Sequence, residues 1–155
     1  MKLTHIAAVA AALLASSTAA SAAEVTDTIE IKASPAKVWA ASADDFCGIA
    51  KFHPAIEKCA LSAGGKTRTL SLKGGGTIVE NLTAHKDGSS YSYVIVESPL
   101  PVADYKSTFS VKGSGDTSMV TWTGSFEPKG ADEAAAKKVI AGIYAGGLAA
   151  LKAKF

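Results

Sequence analysis

The chain has 155 residues, with 16 basic against 14 acidic side chains and a formal net charge of +2. That near-balance gives no electrostatic reason to expect nucleic acid or an anionic membrane surface as a partner. A chain of this length buries roughly two-thirds of its unfolded surface and can hold one core without a metal or cofactor, and no internal repeat divides it.

The first residues read as a leader. Met1 to His5 is short and basic, IAAVAAALLA from Ile6 to Ala15 is apolar, and SSTAASAAE from Ser16 to Glu24 is built of small residues. This layout predicts a secretory signal peptide over 1–23, cleaved after Ala22 or Ala23, and a single domain over 24–155 in the periplasm. The apolar run is short for a bilayer span, and no later stretch reads as a transmembrane segment, so no membrane association is expected after cleavage. The two cysteines, Cys47 and Cys59, would then meet an oxidising compartment. They either bond to each other, closing a loop worth about 3 kcal/mol, or stay as two separately buried thiols; spacing does not decide between these.

From Glu24 to Ala33, Val25, Ile29, Ile31 and Ala33 share one parity and polar residues the other, the pattern of a half-buried strand. Ser34 then serves as an N-cap with Pro35 at the first helical position, predicting a short helix to Ala43. A second short helix, DFCGIAKF, follows Asp44-Asp45, weakened by Gly48 and ended by Pro54. Strands are predicted over 55–61, 67–72, 77–85, 90–97, 105–111 and 118–126, separated by Gly64-Gly65, Gly74 to Gly76, Asp87-Gly88, the SPLPV corner, and Gly113 to Asp116. The last segment, Ala131 to Phe155, is the longest helical candidate, with Val139, Ile140, Ile143, Tyr144, Gly147, Leu148 and Leu151 at spacings of three and four. Gly142, Gly146 and Gly147 each disfavour helix, which marks either close packing against them or fraying of the helix there.

The pattern predicts an α+β fold: a curved antiparallel sheet of six to seven strands around one long C-terminal helix, with two short helices after the first strand. A sheet wrapped on a single helix encloses more space than side chains readily fill, so a groove or cavity is expected. Strand parity nominates Tyr91, Tyr93, Tyr105, Ser107, Phe109 and Trp122 as facing it, with Ile78 and Glu80 from the fourth strand, and Ile140 and Tyr144 from the helix. The same aromatic set would serve equally as an ordinary core. Pro99 and Pro101 lack N–H donors and stay out of interior ladders. Leu100 between them can cap a pocket mouth, meet a partner, or fold back on the helix. Phe52 and His53, beside the Pro54 break, are the other entrance candidates.

No catalytic residue stands out, since only His53 and His85 follow the leader and no Ser-His-acid order can be assigned. Cys47, His53 and Cys59 are evenly spaced, but the spacing matches no compact metal motif, so no metal is expected. The glycine clusters lack the Lys-Ser/Thr ending of a phosphate loop. The chain also lacks CxxCH, in keeping with no covalent haem, and no cofactor is expected.

IEIKASPAKVWA, FHPAIEKCAL, GGGTIVENLTAH, SYSYVIVESPLPVADYKSTFSV and SMVTWTGSFEP, followed by the final helix, resemble the START / polyketide cyclase-like (SRPBCC) superfamily. KFHP and the PLPV corner are similar to its exported MxaD-type members, accessory to methanol oxidation. The resemblance implies a helix-grip fold and a cavity for a hydrophobic small molecule, with Tyr93, Tyr105, Phe109, Trp122 and Tyr144 at lining positions. It implies a ligand-binding or accessory role, with a periplasmic dehydrogenase or cytochrome as partner. The alternative it offers is a polyketide cyclase/dehydratase-like enzyme acting on an apolar or aromatic substrate.

Overall fold

The computed structural model describes residues 22–155; the leader read over 1–23 lies, but for its last two positions, outside the described residues. The chain runs β1 (Ala23–Ile31), α1 (Pro35–Ser42), a 3₁₀ turn (Gly48–Lys51), β2 (Ile56–Ser62), β3 (Thr67–Leu72), β4 (Thr77–Lys86), β5 (Ser90–Glu97), β6 (Val102–Ser114), β7 (Thr117–Pro128) and α2 (Glu133–Lys152). All pairings are antiparallel in one seven-stranded sheet of order β1-β7-β6-β5-β4-β3-β2. This is the helix-grip architecture expected from the sequence. The second short helix shrinks to a single 3₁₀ turn between Gly48 and the Pro54 break.

Alternation sets the inner face. In β7, Ser118, Val120, Trp122, Gly124 and Phe126 are buried while their neighbours are not, and β6 alternates similarly from Tyr105 to Val111. The alternation breaks at the start of β6, where the register with β7 shifts by one between Ala103 and Lys106. Asp104 takes φ 49° there, a bulge that lets Val102 and Tyr105 both turn inward although three residues apart. Further register shifts occur in β2 and β4, and such irregularities bend the sheet towards the helix.

The N-cap of α2 is Asp132, whose side chain accepts a hydrogen bond from the Ala135 N–H at 2.7 Å, and Glu133 lies in the first turn beside the positive end of the helix dipole. By length and composition α2 is apolar enough to cross a membrane, which the sequence reading did not credit. Its buried residues, Ala136, Ile140, Tyr144, Gly147, Leu148 and Leu151, form one face, set against β1 and β7.

The helix glycines are not alike. A Cβ at Gly147 would lie 2.6 Å from His53 Cδ2 and 3.0 Å from Trp122 Cζ3, whereas Gly142 and Gly146 face open space. Gly142→Ala and Gly146→Ala are therefore expected to raise stability by up to about 1 kcal/mol each, and Gly147→Ala to lower it by about 1–3 kcal/mol. Urea unfolding of the three variants checks this; a stabilising Gly147→Ala would show that the close approach does not hold.

Candidate functional site

Between α2 and the inner face of the sheet lies a cavity of about 300 Å³, at the small end of ligand pockets. The sheet contributes Leu70, Ile78, Glu80, Tyr93, Tyr105 and Trp122, the helix contributes Val139, Ile140, Ile143 and Tyr144, and the segment after α1 contributes Ile49, His53, Ala55 and Ile56. Leu72, Ile95 and Leu100 complete it. Val139 and Ala55 are exposed, and Ile95, Leu100 and Ile143 half-buried, so the mouth lies where mid-α2 meets the end of β5 and the SPLPV corner.

Of the residues nominated from sequence, Ile78, Glu80, Tyr93, Tyr105, Trp122, Ile140 and Tyr144 meet at this wall, with Leu100 at the mouth. Tyr91 and Phe109 do not reach it. They stack on one another with centroids 5.5 Å apart, and Phe46 and Phe52 cover them at 5.8 Å and 6.1 Å, so aromatic rings close that end of the cavity. Phe52 is thus core and not entrance. His53 belongs to the buried wall and not to the rim. Ser107 sits behind Tyr144, outside the wall. Pro99 is exposed, and half-buried Pro101 offers its carbonyl to the Lys129 N–H at 3.0 Å; neither lines the cavity.

Tyr93, Tyr105, Tyr144 and Trp122 of the wall are joined in a network through Ser107 behind it. The hydroxyls of Tyr105 and Tyr144 lie 2.5 Å apart, Ser107 Oγ is 3.3 Å from Tyr144 Oη, and Trp122 Nε1–H donates to Tyr93 Oη at 3.0 Å and to Ser107 Oγ at 3.1 Å. Gly124 makes this possible, since a Cβ there would run into the Tyr144 hydroxyl; a glycine inside a strand is the sequence sign of such an approach. Burial raises the pKa of Tyr93 and Tyr105 and pushes Tyr144 up to about 12, so all three stay protonated donors.

His53 is held neutral. Its Nδ1 accepts from the Ala55 N–H at 3.2 Å and its Nε2 lies 3.0 Å from the Ile143 carbonyl, which fixes the Nε2–H tautomer. Burial lowers its pKa, only partly opposed by the bond to Ile143.

One residue central to the site escaped the sequence reading. Arg68 is fully buried, donates from Nε to Glu80 Oε2 at 2.5 Å and from Nη1 to the Phe46 carbonyl at 2.7 Å, and lies over the Phe46 and Tyr93 rings at 4.2 Å and 4.8 Å. The signal was present: Arg68 shares its parity with Leu70 and Leu72, and it pairs directly across the sheet with inward Glu80. Burial raises the Glu80 pKa against the pull of Arg68, while the guanidinium itself stays charged.

Cys47 and Cys59 form a disulfide with Cα atoms 5.7 Å apart. It consumes both thiols of the evenly spaced Cys47, His53 and Cys59, and ties the segment carrying Ile49, His53 and Ile56 to the edge strand β2.

Residues 22–155 match the family model described as polyketide cyclase / dehydrase and lipid transport. The chain belongs to this family. It is similar to the XoxI protein of Bacillus cereus, at 37% identity over 86% of this chain and 95% of that one, with a TM-score of 0.82. An uncharacterised protein of Bacillus thuringiensis shows 36% identity over 86% and 98% of the two chains, also with a TM-score of 0.82. The ZhuI aromatase/cyclase of Streptomyces sp. R1128 shares the fold, with a TM-score of 0.71, 15% identity, and 86% and 93% covered. No curated protein matches the chain. Helix-grip, START-like architecture is thereby shown for this family member, and its cavity suits a hydrophobic small molecule. These relatives do not single out the MxaD-type members.

Two measurements follow from the site. With a pKa below the ordinary 6.5, folded His53 binds fewer protons than the unfolded chain, so stability is complete above pH 6.5 and falls as pH drops through and below that value. His53→Gln should lower stability at pH 7 by about 1–2 kcal/mol while losing this part of the acid sensitivity; parallel wild-type and variant pH curves would contradict the neutral buried imidazole. Reducing the disulfide, or Cys47→Ser with Cys59→Ser, should lower stability by about 3 kcal/mol in urea unfolding, and no loss would show that the tie is idle.

Proposed function

We propose that the protein takes an apolar or aromatic small molecule into the cavity and performs cyclase- or dehydrase-like acid–base chemistry on it. The observation that carries this reading is the pairing of a buried acid with a buried hydroxyl on one apolar wall. Glu80 presents a carboxyl whose pKa is raised by burial, and Tyr93 lies beside it on the neighbouring strand. A carboxylate with a raised pKa is a stronger base than a solvated one. It can take a proton from carbon next to a carbonyl while the Tyr93 hydroxyl donates to the oxygen that becomes negative. The family match and the cyclase of like fold support this reading better than a purely passive binding role.

The test is proton exchange at the carbon next to the carbonyl of 2-tetralone in deuterated buffer. The wild type should accelerate exchange about 100-fold or more over buffer, with a rate that rises with pH as Glu80 ionises, and Glu80→Gln should abolish the acceleration. Saturable binding without acceleration would leave a carrier in place of an enzyme.

A narrower role belongs to the same proposal only by sequence. The leader at 1–23, the single domain at 24–155 and the PLPV corner support an exported, periplasmic accessory protein of the MxaD type acting with a dehydrogenase or cytochrome. Electron transfer from such a dehydrogenase to its cytochrome, measured with and without the purified domain, decides it; an unchanged rate removes it.

A further inference from the structure

Following the hydrogens around the polar layer leaves two groups over. Ser107 donates its hydroxyl hydrogen to the Thr123 carbonyl at 2.8 Å, so its oxygen acts as acceptor towards both Trp122 Nε1–H and Tyr144. Tyr144 therefore donates to Ser107, and in the short contact between the two tyrosines Tyr105 donates to Tyr144. Those three hydroxyl hydrogens are satisfied. Tyr93 is different. The indole N–H is a donor only, so Tyr93 Oη accepts from Trp122, and its own hydrogen has no acceptor among the described residues.

Glu80 has the complementary opening. Oε2 receives the Arg68 Nε–H, and Oε1 has no hydrogen-bond partner among the described residues. Glu80 pairs across the sheet with Ile95, two residues along the same face from Tyr93, so the two side chains are diagonal neighbours. Both line the cavity. Trp39 Nε1, Arg68 Nη2 and Tyr91 Oη also lack partners, but they lie away from its wall.

From this we infer that the cavity selects apolar molecules carrying a neutral hydroxyl group, with Tyr93 donating to the hydroxyl oxygen and Glu80 Oε1 receiving the hydroxyl hydrogen. A hydroxyl is the smallest group that accepts and donates at one atom. A hydrocarbon leaves both protein groups unpaired, a ketone satisfies Tyr93 alone, and a carboxylate places a second negative charge next to Glu80 in an apolar space, where repulsion is weakly screened. The inference rests on the reading that the cavity binds an apolar molecule. It also gives that reading a selective element, because the enol of a carbonyl substrate is held by two bonds where its keto form is held by one.

The test is a matched series on the full domain, titrated by calorimetry at pH 7: naphthalene, 2-naphthol and 2-naphthoate. The expected order is 2-naphthol tighter than naphthalene by about ten-fold or more, with 2-naphthoate weaker than either. Tyr93→Phe leaves the Trp122 N–H on Ser107, and Glu80→Gln keeps an oxygen for Arg68. Each should cut the hydroxyl preference, read as the ratio of 2-naphthol to naphthalene affinity in the same variant, to within about three-fold. Glu80→Gln should also recover binding of 2-naphthoate. Equal affinity for naphthalene and 2-naphthol in the wild type overturns the inference while the binding cavity stands; failure of both to bind overturns the cavity reading itself. Should a variant fail to fold by near-UV circular dichroism, the wild-type series alone decides.

Discussion

The structure depends on how closely α2 can approach the sheet, and that is decided at Gly147. There the helix has no side chain, so His53 and Trp122 come closer than a Cβ would allow, and Tyr144, one turn back, stacks on Trp122 with centroids 4.6 Å apart. His53 reaches the Ile143 carbonyl through the same opening. The contact pins the C-terminal half of α2, with Leu148 and Leu151 buried beyond it. The helix as a whole is packed on β1 and β7, while Val139, Ile140, Ile143 and Tyr144 face Leu70, Ile78 and Ile95 of β3 to β5 across the cavity. The cavity is the space left between a helix held close at one place and the curved sheet that wraps it.

That space is apolar without being inert. Burying an arginine and a glutamate together is expensive, and a pair of this kind seldom adds stability over hydrophobic residues of the same volume. Arg68 recovers part of that loss through the Phe46 carbonyl and the surrounding rings. What the pair does accomplish is to hold a carboxyl in a fixed position on the cavity wall, with one oxygen engaged. The tyrosine hydroxyls are fixed in a similar way by Ser107, Trp122 and each other. Polar groups held rigidly in a water-poor space interact more strongly with a bound molecule than the same groups in water.

The elements were legible from the chain because alternation and helical spacing are local signals. The inward parity of Ile78, Glu80, Tyr93, Tyr105 and Trp122 followed from it directly. Parity cannot say how far along a strand the cavity extends, and so Tyr91 and Phe109, on the correct face, were placed at a wall that Phe46 and Phe52 in fact fill. That end is closed by residues 46–52, whose path between α1 and β2 is fixed by a 3₁₀ turn and a disulfide and by no periodic pattern. The bulge at Asp104 was also illegible, since an αL residue without glycine leaves little trace in a sequence. Arg68 was legible and was passed over, because a charge on an apolar parity reads as noise until its cross-strand acid is set beside it.

Magnitudes then decide which feature of the cavity governs recognition. Burying about 300 Å² of apolar ligand surface contributes roughly 7 kcal/mol, and association costs at least about 4 kcal/mol. The remaining ~3 kcal/mol corresponds to dissociation constants in the millimolar range, too weak to distinguish one apolar molecule from another. A hydrogen bond to a charged group in such a site contributes about 1.5–3 kcal/mol, comparable to everything the apolar wall leaves over. Shape therefore admits many molecules of the right size, and the carboxyl of Glu80 with the hydroxyl of Tyr93 decides among them. Arg68 governs that choice at one remove, because it determines which oxygen of Glu80 remains free to face the ligand.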